Sequence, residues 1–195
     1  MKTKKILSLF FAAGLVILFL SIILFLRKSH LWYFSAGLGM WFIFDCLSSP
    51  YEKNTALQVF LRDKKKFIKL YLSMVLLGAI IEFVGRFILG LWEYPHYNQT
   101  YEIASVLFYP FLLFQLREMY VLLKSKIKAS FIPLAISVVM GIIIWEIPNL
   151  FSKDWIYYIS AISLEIFNLN IIVIFGWTLL ILIPFYIYKI VLKEK

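Results

Sequence analysis

Apolar residues along this chain fall into long unbroken runs separated by short polar gaps, with no sustained alternation. Runs at Ile6–Leu26, Leu31–Leu47, Phe67–Trp92, Ile103–Leu123 and Phe131–Leu150 come close to the roughly 20 residues that a helix needs to cross a bilayer. The last apolar stretch, Trp155 to Leu192, would be ~57 Å long as one helix, too long for one crossing of a ~30 Å core. It divides into an outer interfacial helix over 155–165 and a span over 167–188. The pattern predicts an all-α, polytopic integral membrane protein. A six-transmembrane-helix bundle forms a single membrane domain over 1–195, with spans at 6–26, 31–47, 67–92, 103–123, 131–150 and 167–188. The first run is longer than the apolar core of a signal peptide and lacks a small-residue cleavage site before Arg27, so it reads as a retained helix. Between the second and third spans, residues 54–66 read first as a basic loop that sets topology, and alternatively as a short amphipathic helix, capped by Asn54, at the inner membrane surface.

Composition agrees. Of the 195 residues, 63% are hydrophobic and 16% charged, against roughly 45–50% and 25% in soluble domains. That excludes a disordered chain and a sizeable soluble catalytic domain. Cys46 is alone, so no intrachain disulfide forms. The net charge of +9 does not point to nucleic acid, because the basic residues lie in the gaps between runs. Sixteen of the twenty Lys and Arg fall in the N-terminus, 48–69, 117–130 and 189–195. The positive-inside rule then puts both termini in the cytoplasm, in a multi-pass protein of the cell (cytoplasmic, inner) membrane. Arg27 and Lys28 are the misfits, in a very short outer loop. Trp32, Trp92, Trp145 and Trp155 are expected at the outer interface, and Trp41 and Trp177 are mid-span.

Ionisable groups within a span are costly and mark function. Glu82 and Arg86 are four apart on one helical face, within pairing distance and beside Gly78 and Gly85. Glu82 is the candidate catalytic group, and Glu82 with Arg86 is the centre of the expected ligand site. Gln115 reaches across to the third span, while Arg117 and Glu118 snorkel to the inner surface. Glu165 and Asn168 open the last span and enter the same site. Asp45 reads as an interfacial charge. Trp92-Glu93-Tyr94-Pro95 and Trp145-Glu146-Ile147-Pro148 are 53 residues apart, as are Gln115 and Asn168, which suggests a two-fold repeat with Glu146 at the outer mouth. His30 and His96 sit in separate loops, so no metal site is expected, and no cofactor motif is present.

Glu82, the stretch Gly90-Leu91-Trp92-Glu93-Tyr94 and Pro110 resemble the skeleton of the small membrane-bound type of lycopene cyclase over residues 82–110. The resemblance implies a lipophilic, isoprenoid-like substrate. That family follows the proline with paired carboxylates; here Phe111, Leu112 and Leu113 follow Pro110, so no catalytic residue carries over. The size and topology, with the small patch Ala12-Ala13-Gly14, also look like the substrate-binding subunits of vitamin transporters that borrow an ATPase. Three functions fit: binding or transforming a lipophilic small molecule in an intramembrane cavity lined by Glu82 and Arg86; a transporter or permease subunit; or an accessory membrane protein with no small-molecule site. The expected partners are the lipid bilayer, that lipophile, and a homo-oligomer or membrane partner protein.

Overall fold

The computed structural model describes residues 2–129, 131–159, 164–166 and 169–193, and the described chain is helical almost throughout. The helices are α1 (Lys2–Leu26), α2 (Leu31–Ser48), α3 (Ala56–Arg62), α4 (Lys64–Glu82), α5 (Gln99–Lys126), α6 (Ile132–Ser152) and α7 (Ile171–Leu192). Among the described residues, five helical stretches are long and apolar enough to cross a membrane: Lys5–Leu26, Lys64–Ile88, Gln99–Lys126, Ile132–Ser152 and Ile171–Leu192. The shorter α2 carries Asp45 and buries both tryptophans on its length, Trp32 and Trp41.

The core forms around α5, which touches α2, α4, α6 and α7. Leu113, Phe114, Leu116 and Met119 on it are fully buried. α1 packs on α2 where Gly14 and Gly39 bring the backbones together; a Cβ on Gly14 would stand 2.9 Å from the Gly39 carbonyl oxygen. The outward side of α1 keeps Leu9, Val16 and Phe19 exposed, as a lipid-facing helix does.

α4 does not run to Trp92 as one α-helix. Residues Phe83–Ile88 form a π-helical segment in which the Leu89 N–H donates to the Val84 carbonyl, five residues back (2.9 Å). The wider turn shifts everything after Glu82 off the α-helical register. Gly90, at φ +60°, then reverses the chain. The reversal feeds a two-residue strand, β1 (Trp92–Glu93), which pairs antiparallel with β2 (Ile156–Tyr157) beyond the end of α6. The described part of 155–165 is therefore not an interfacial helix. A second ribbon, β3 (Glu165–Ile166) with β4 (Leu169–Asn170), leads into α7, whose first residue is Ile171 rather than 167.

α3 is capped by Thr55, not Asn54: the Thr55 hydroxyl accepts from the Gln58 N–H. Its Ala56, Leu57, Gln58 and Val59 are buried against the bundle, so the apolar face meets protein instead of lipid. Asp63 caps α4 by accepting from the Lys66 N–H at 3.1 Å.

Candidate functional site

Two buried carboxylates organise the end of the bundle that carries the β1–β2 ribbon. Glu82, 6% exposed, accepts from the Tyr94 hydroxyl at 2.6 Å and from the Trp92 indole N–H at 3.4 Å. Glu146, 2% exposed, accepts from the Tyr157 hydroxyl (2.8 Å), the Trp177 indole (2.9 Å) and the Trp155 indole (3.2 Å). Glu82 ends α4 and Glu146 lies in the last two turns of α6, and each glutamate binds the Trp and Tyr of a Trp-x-Tyr triplet in the return that follows. The pairing joins Trp92 to Tyr157 and Glu93 to Ile156, so a local two-fold passes between Glu93 and Ile156. Asn149 sets the second return, donating from Nδ2 to the Trp155 carbonyl (2.8 Å) and accepting the Trp155 N–H at Oδ1 (3.0 Å). Glycines seat the rings. A Cβ on Gly85 would lie 1.9 Å from the Trp92 ring, one on Gly78 2.7 Å from Tyr109, and one on Gly141 3.0 Å from Trp177.

The triplets face a cavity of about 380 Å³. Trp92, Tyr94, Trp155, Tyr157, Trp177 and Glu146 form its polar side, while Leu112, Val173, Leu180 and Ile183 are among its apolar walls. Leu89, Phe175 and Leu179 also line it and are 58%, 62% and 40% exposed, so the cavity reaches the lipid-facing surface of the bundle. Gly176 borders it with open space where a Cβ would stand. Two donors at this cavity have no hydrogen-bond partner among the described residues: the indole N–H of Trp145, 1% exposed, and the Tyr97 hydroxyl. Tyr97 lies in the connection after the ribbon, and burial pushes its phenol above the ordinary tyrosine range.

The expected pair Glu82–Arg86 does not form a salt bridge. The π-helical segment turns Arg86 away, and its guanidinium pairs instead with Glu102 at 2.7 Å, beside the Tyr94 ring. Neither Glu82 nor Arg86 lines the cavity; Glu82 bonds to its lining residues Trp92 and Tyr94, and Glu146 is the carboxylate exposed to it. Gln115 makes no bond to α4: it is fully buried and both its amide atoms lack partners among the described residues. Glu165 is exposed on β3, away from the cavity lining, and Asn168 lies outside the described residues. Trp92-Glu93-Tyr94-Pro95 and Trp145-Glu146-Ile147-Pro148 are not equivalent, since the first begins a strand and the second is inside α6. The equivalence that the fold shows is Glu82 with Glu146 and Trp92-x-Tyr94 with Trp155-x-Tyr157. The signal for it is a glutamate followed ten or nine residues later by Trp-x-Tyr. Trp32 and Trp145, expected at the lipid interface, are 4% and 1% exposed and pack on each other inside.

A second polar cluster ties α2, α3, α5 and α7 at the other end. Arg117 and Glu118 do not snorkel: they are 1% and 0% exposed and pair at 2.7 Å. Arg117 also reaches Glu52 at 3.5 Å and stacks 4.1 Å over the Tyr188 ring. Ser48 donates to Glu118 at 2.6 Å. Asp45 is buried rather than interfacial, accepting from the Leu57 N–H (2.9 Å) and the Trp41 indole (3.2 Å).

No protein-family model matches the chain, no characterised protein matches it in sequence, and no solved structure matches its fold.

Proposed function

We propose that this is a multi-pass protein of the cell membrane that binds a lipophilic small molecule in the cavity between the Trp-x-Tyr ribbon and α7. The observation that carries the reading is the cavity itself. Its about 380 Å³ fall in the roughly 300–1,000 Å³ range of small-molecule sites. Its walls are mostly aliphatic and aromatic, it borders the lipid face, and its polar groups converge from α6, the ribbon and α7. The carboxylate of Glu146 is saturated by three donors, so it sets the rings in place rather than meeting a cation. The orphaned N–H of Trp145 and hydroxyl of Tyr97 suit an oxygen acceptor at one end of an otherwise apolar ligand.

The same reading includes six spans, with α2 as the sixth, and both chain ends in the cytoplasm. Cys46 near the end of α2 donates to the Leu7 carbonyl near the start of α1, and Arg117 on α5 stacks on Tyr188 near the end of α7. These contacts support both chain ends at one end of the bundle. Charge supports the cytoplasmic assignment.

The test is mass spectrometry of lipids and metabolites retained by gently purified protein, wild type beside Gly176→Phe. The substitution adds bulk where space is open, so the fold should survive. A compound held by wild type and lost in the variant is the expected result. Equal retention of the same bulk lipids by both proteins would overturn the reading and leave the transporter and accessory functions.

A further inference from the structure

Three connections meet around His30, beyond the ribbon end of the cavity. Its Nδ1 is bonded to Asp154, which is fully buried and whose other oxygen accepts from the Trp32 indole at 2.5 Å. With Nδ1–H committed to that carboxylate, Nε2 is the nitrogen that His30 offers to a ligand. His96 stacks on the same ring, centroids 5.5 Å apart and planes 20° apart. The two histidines that sequence separates by 66 positions therefore share one recess of about 490 Å³. Lys28 lines it too, in a left-handed backbone conformation (φ +54°) and with no ion pair among the described residues. Ser152 lines it with a buried hydroxyl that has no partner among the described residues.

The inventory is rich in donors and poor in acceptors, because both oxygens of Asp154 are occupied. A metal is a poor fit: Asp154 is committed to His30 and Trp32, and among the described residues no three His, Cys, Asp or Glu are arranged to hold an ion. The remaining wall is apolar. Phe25 and Leu26 at the end of α1 and Phe151 at the end of α6 border the recess, and Leu26 and Phe151 are 74% and 76% exposed. A lysine with imidazole and hydroxyl groups on one side and lipid-facing hydrocarbon on the other match the two halves of a phospholipid-like ligand. We propose that this recess binds a phosphate ester, with Lys28, His30 Nε2, His96 and the Ser152 hydroxyl donating to its oxygens. The site also gives a use to Lys28, one of the three cations that the charge pattern leaves on the side poor in Lys and Arg. It stands independently of the cavity.

Full-length protein in detergent is titrated with phosphatidic acid, phosphatidylcholine and inorganic phosphate, reading binding by native mass spectrometry. The variants are Lys28→Gln and His96→Ala, both at exposed side chains. His30 is kept, since removing it would strand Asp154. Lys128→Gln, on the connection between α5 and α6, is the control. Phosphatidic acid should bind in preference to phosphatidylcholine, with Lys28→Gln roughly five-fold weaker, the factor expected for one lysine at an anionic head group. His96→Ala should weaken it as well, and Lys128→Gln should not. Displacement of the lipid by inorganic phosphate identifies free phosphate as a sufficient ligand; failure to displace it identifies a lipid head group. Equal binding of the two lipids, or unchanged binding in both recess variants, overturns the proposal.

Discussion

Glu146 shows how one side chain can set the position of several others. Three aromatic donors, from Trp155, Tyr157 and Trp177, end on its two oxygens in a place that water does not reach. A buried donor without a partner costs about 1–3 kcal/mol, more than the net gain of making the bond. Glu146→Leu strands all three and should lower stability by about 3 kcal/mol or more. Glu146→Gln keeps one oxygen but turns an amide NH₂ toward a donor, and should cost about 1–2 kcal/mol. Unfolding of the detergent-solubilised protein by heat or denaturant checks the order. If Leu were tolerated as well as Gln, the carboxylate would not be what holds the three rings. Glu82 likewise holds Tyr94 at 2.6 Å, Trp92 at 3.4 Å and the Tyr109 hydroxyl, and its replacements should follow the same order.

At the scale of elements, the β1–β2 ribbon is small but its phenols are held hard. Burial first, then the neighbouring Tyr109 and Glu82, raise the Tyr94 phenol well above the ordinary range; burial first, then Glu146, does the same for Tyr157. A raised acid keeps its proton in the folded chain at a pH where the unfolded chain has lost it. The stabilisation is complete below about pH 10, the unfolded tyrosine value, and is lost as pH rises through the higher folded values. The unfolding midpoint should therefore fall as pH passes about 10, and Tyr157→Phe should flatten that fall. Tyrosinate absorbance rising before any loss of helix would contradict it. The ribbon also marks where sequence patterns stop being informative. Long apolar runs reveal helices because each needs only its own hydrocarbon to be recognised, and the bounds of α2, α5 and α6 lie within a few residues of their runs. A two-residue strand has no periodicity of its own. Glu82 and Arg86 part for a related reason: a spacing of four brings two side chains together only on an α-helical repeat, and nothing in Phe-Val-Gly-Arg announces that the next turn is π. Glu146 was picked out, but through a four-residue pattern whose copies occupy different elements. The relation that holds, glutamate to Trp-x-Tyr, depends on how each helix returns upon itself.

For the whole molecule, the distribution of charge and the contacts between connections bear on one arrangement. The connection after α1 meets those after the π segment and after α6, through His30 with Asp154 and His96 and through the ribbon. The connection after α2 meets the later half of α5, through Glu52 with Arg117 and Tyr51 with Lys126. The first group carries Arg27, Lys28 and Lys153; the second carries most of the remaining basic residues. Under the positive-inside rule the second group is cytoplasmic. In a Cys46→Ser background, single cysteines at Lys28→Cys and Lys153→Cys should react with an impermeant maleimide added to intact cells. Cysteines at Lys65→Cys and Lys128→Cys should react only after the membrane is opened. α2 is the element that decides the parity: it is the shortest of the long helices and carries the buried Asp45, and if it failed to cross, the labelling at Lys28 would match that at Lys65. Labelling on opposite sides makes α2 a full crossing stabilised by protein contacts to Asp45. It also puts the Lys28–His30–His96 recess on the outer face, where its cations oppose the charge rule and need a ligand to explain them.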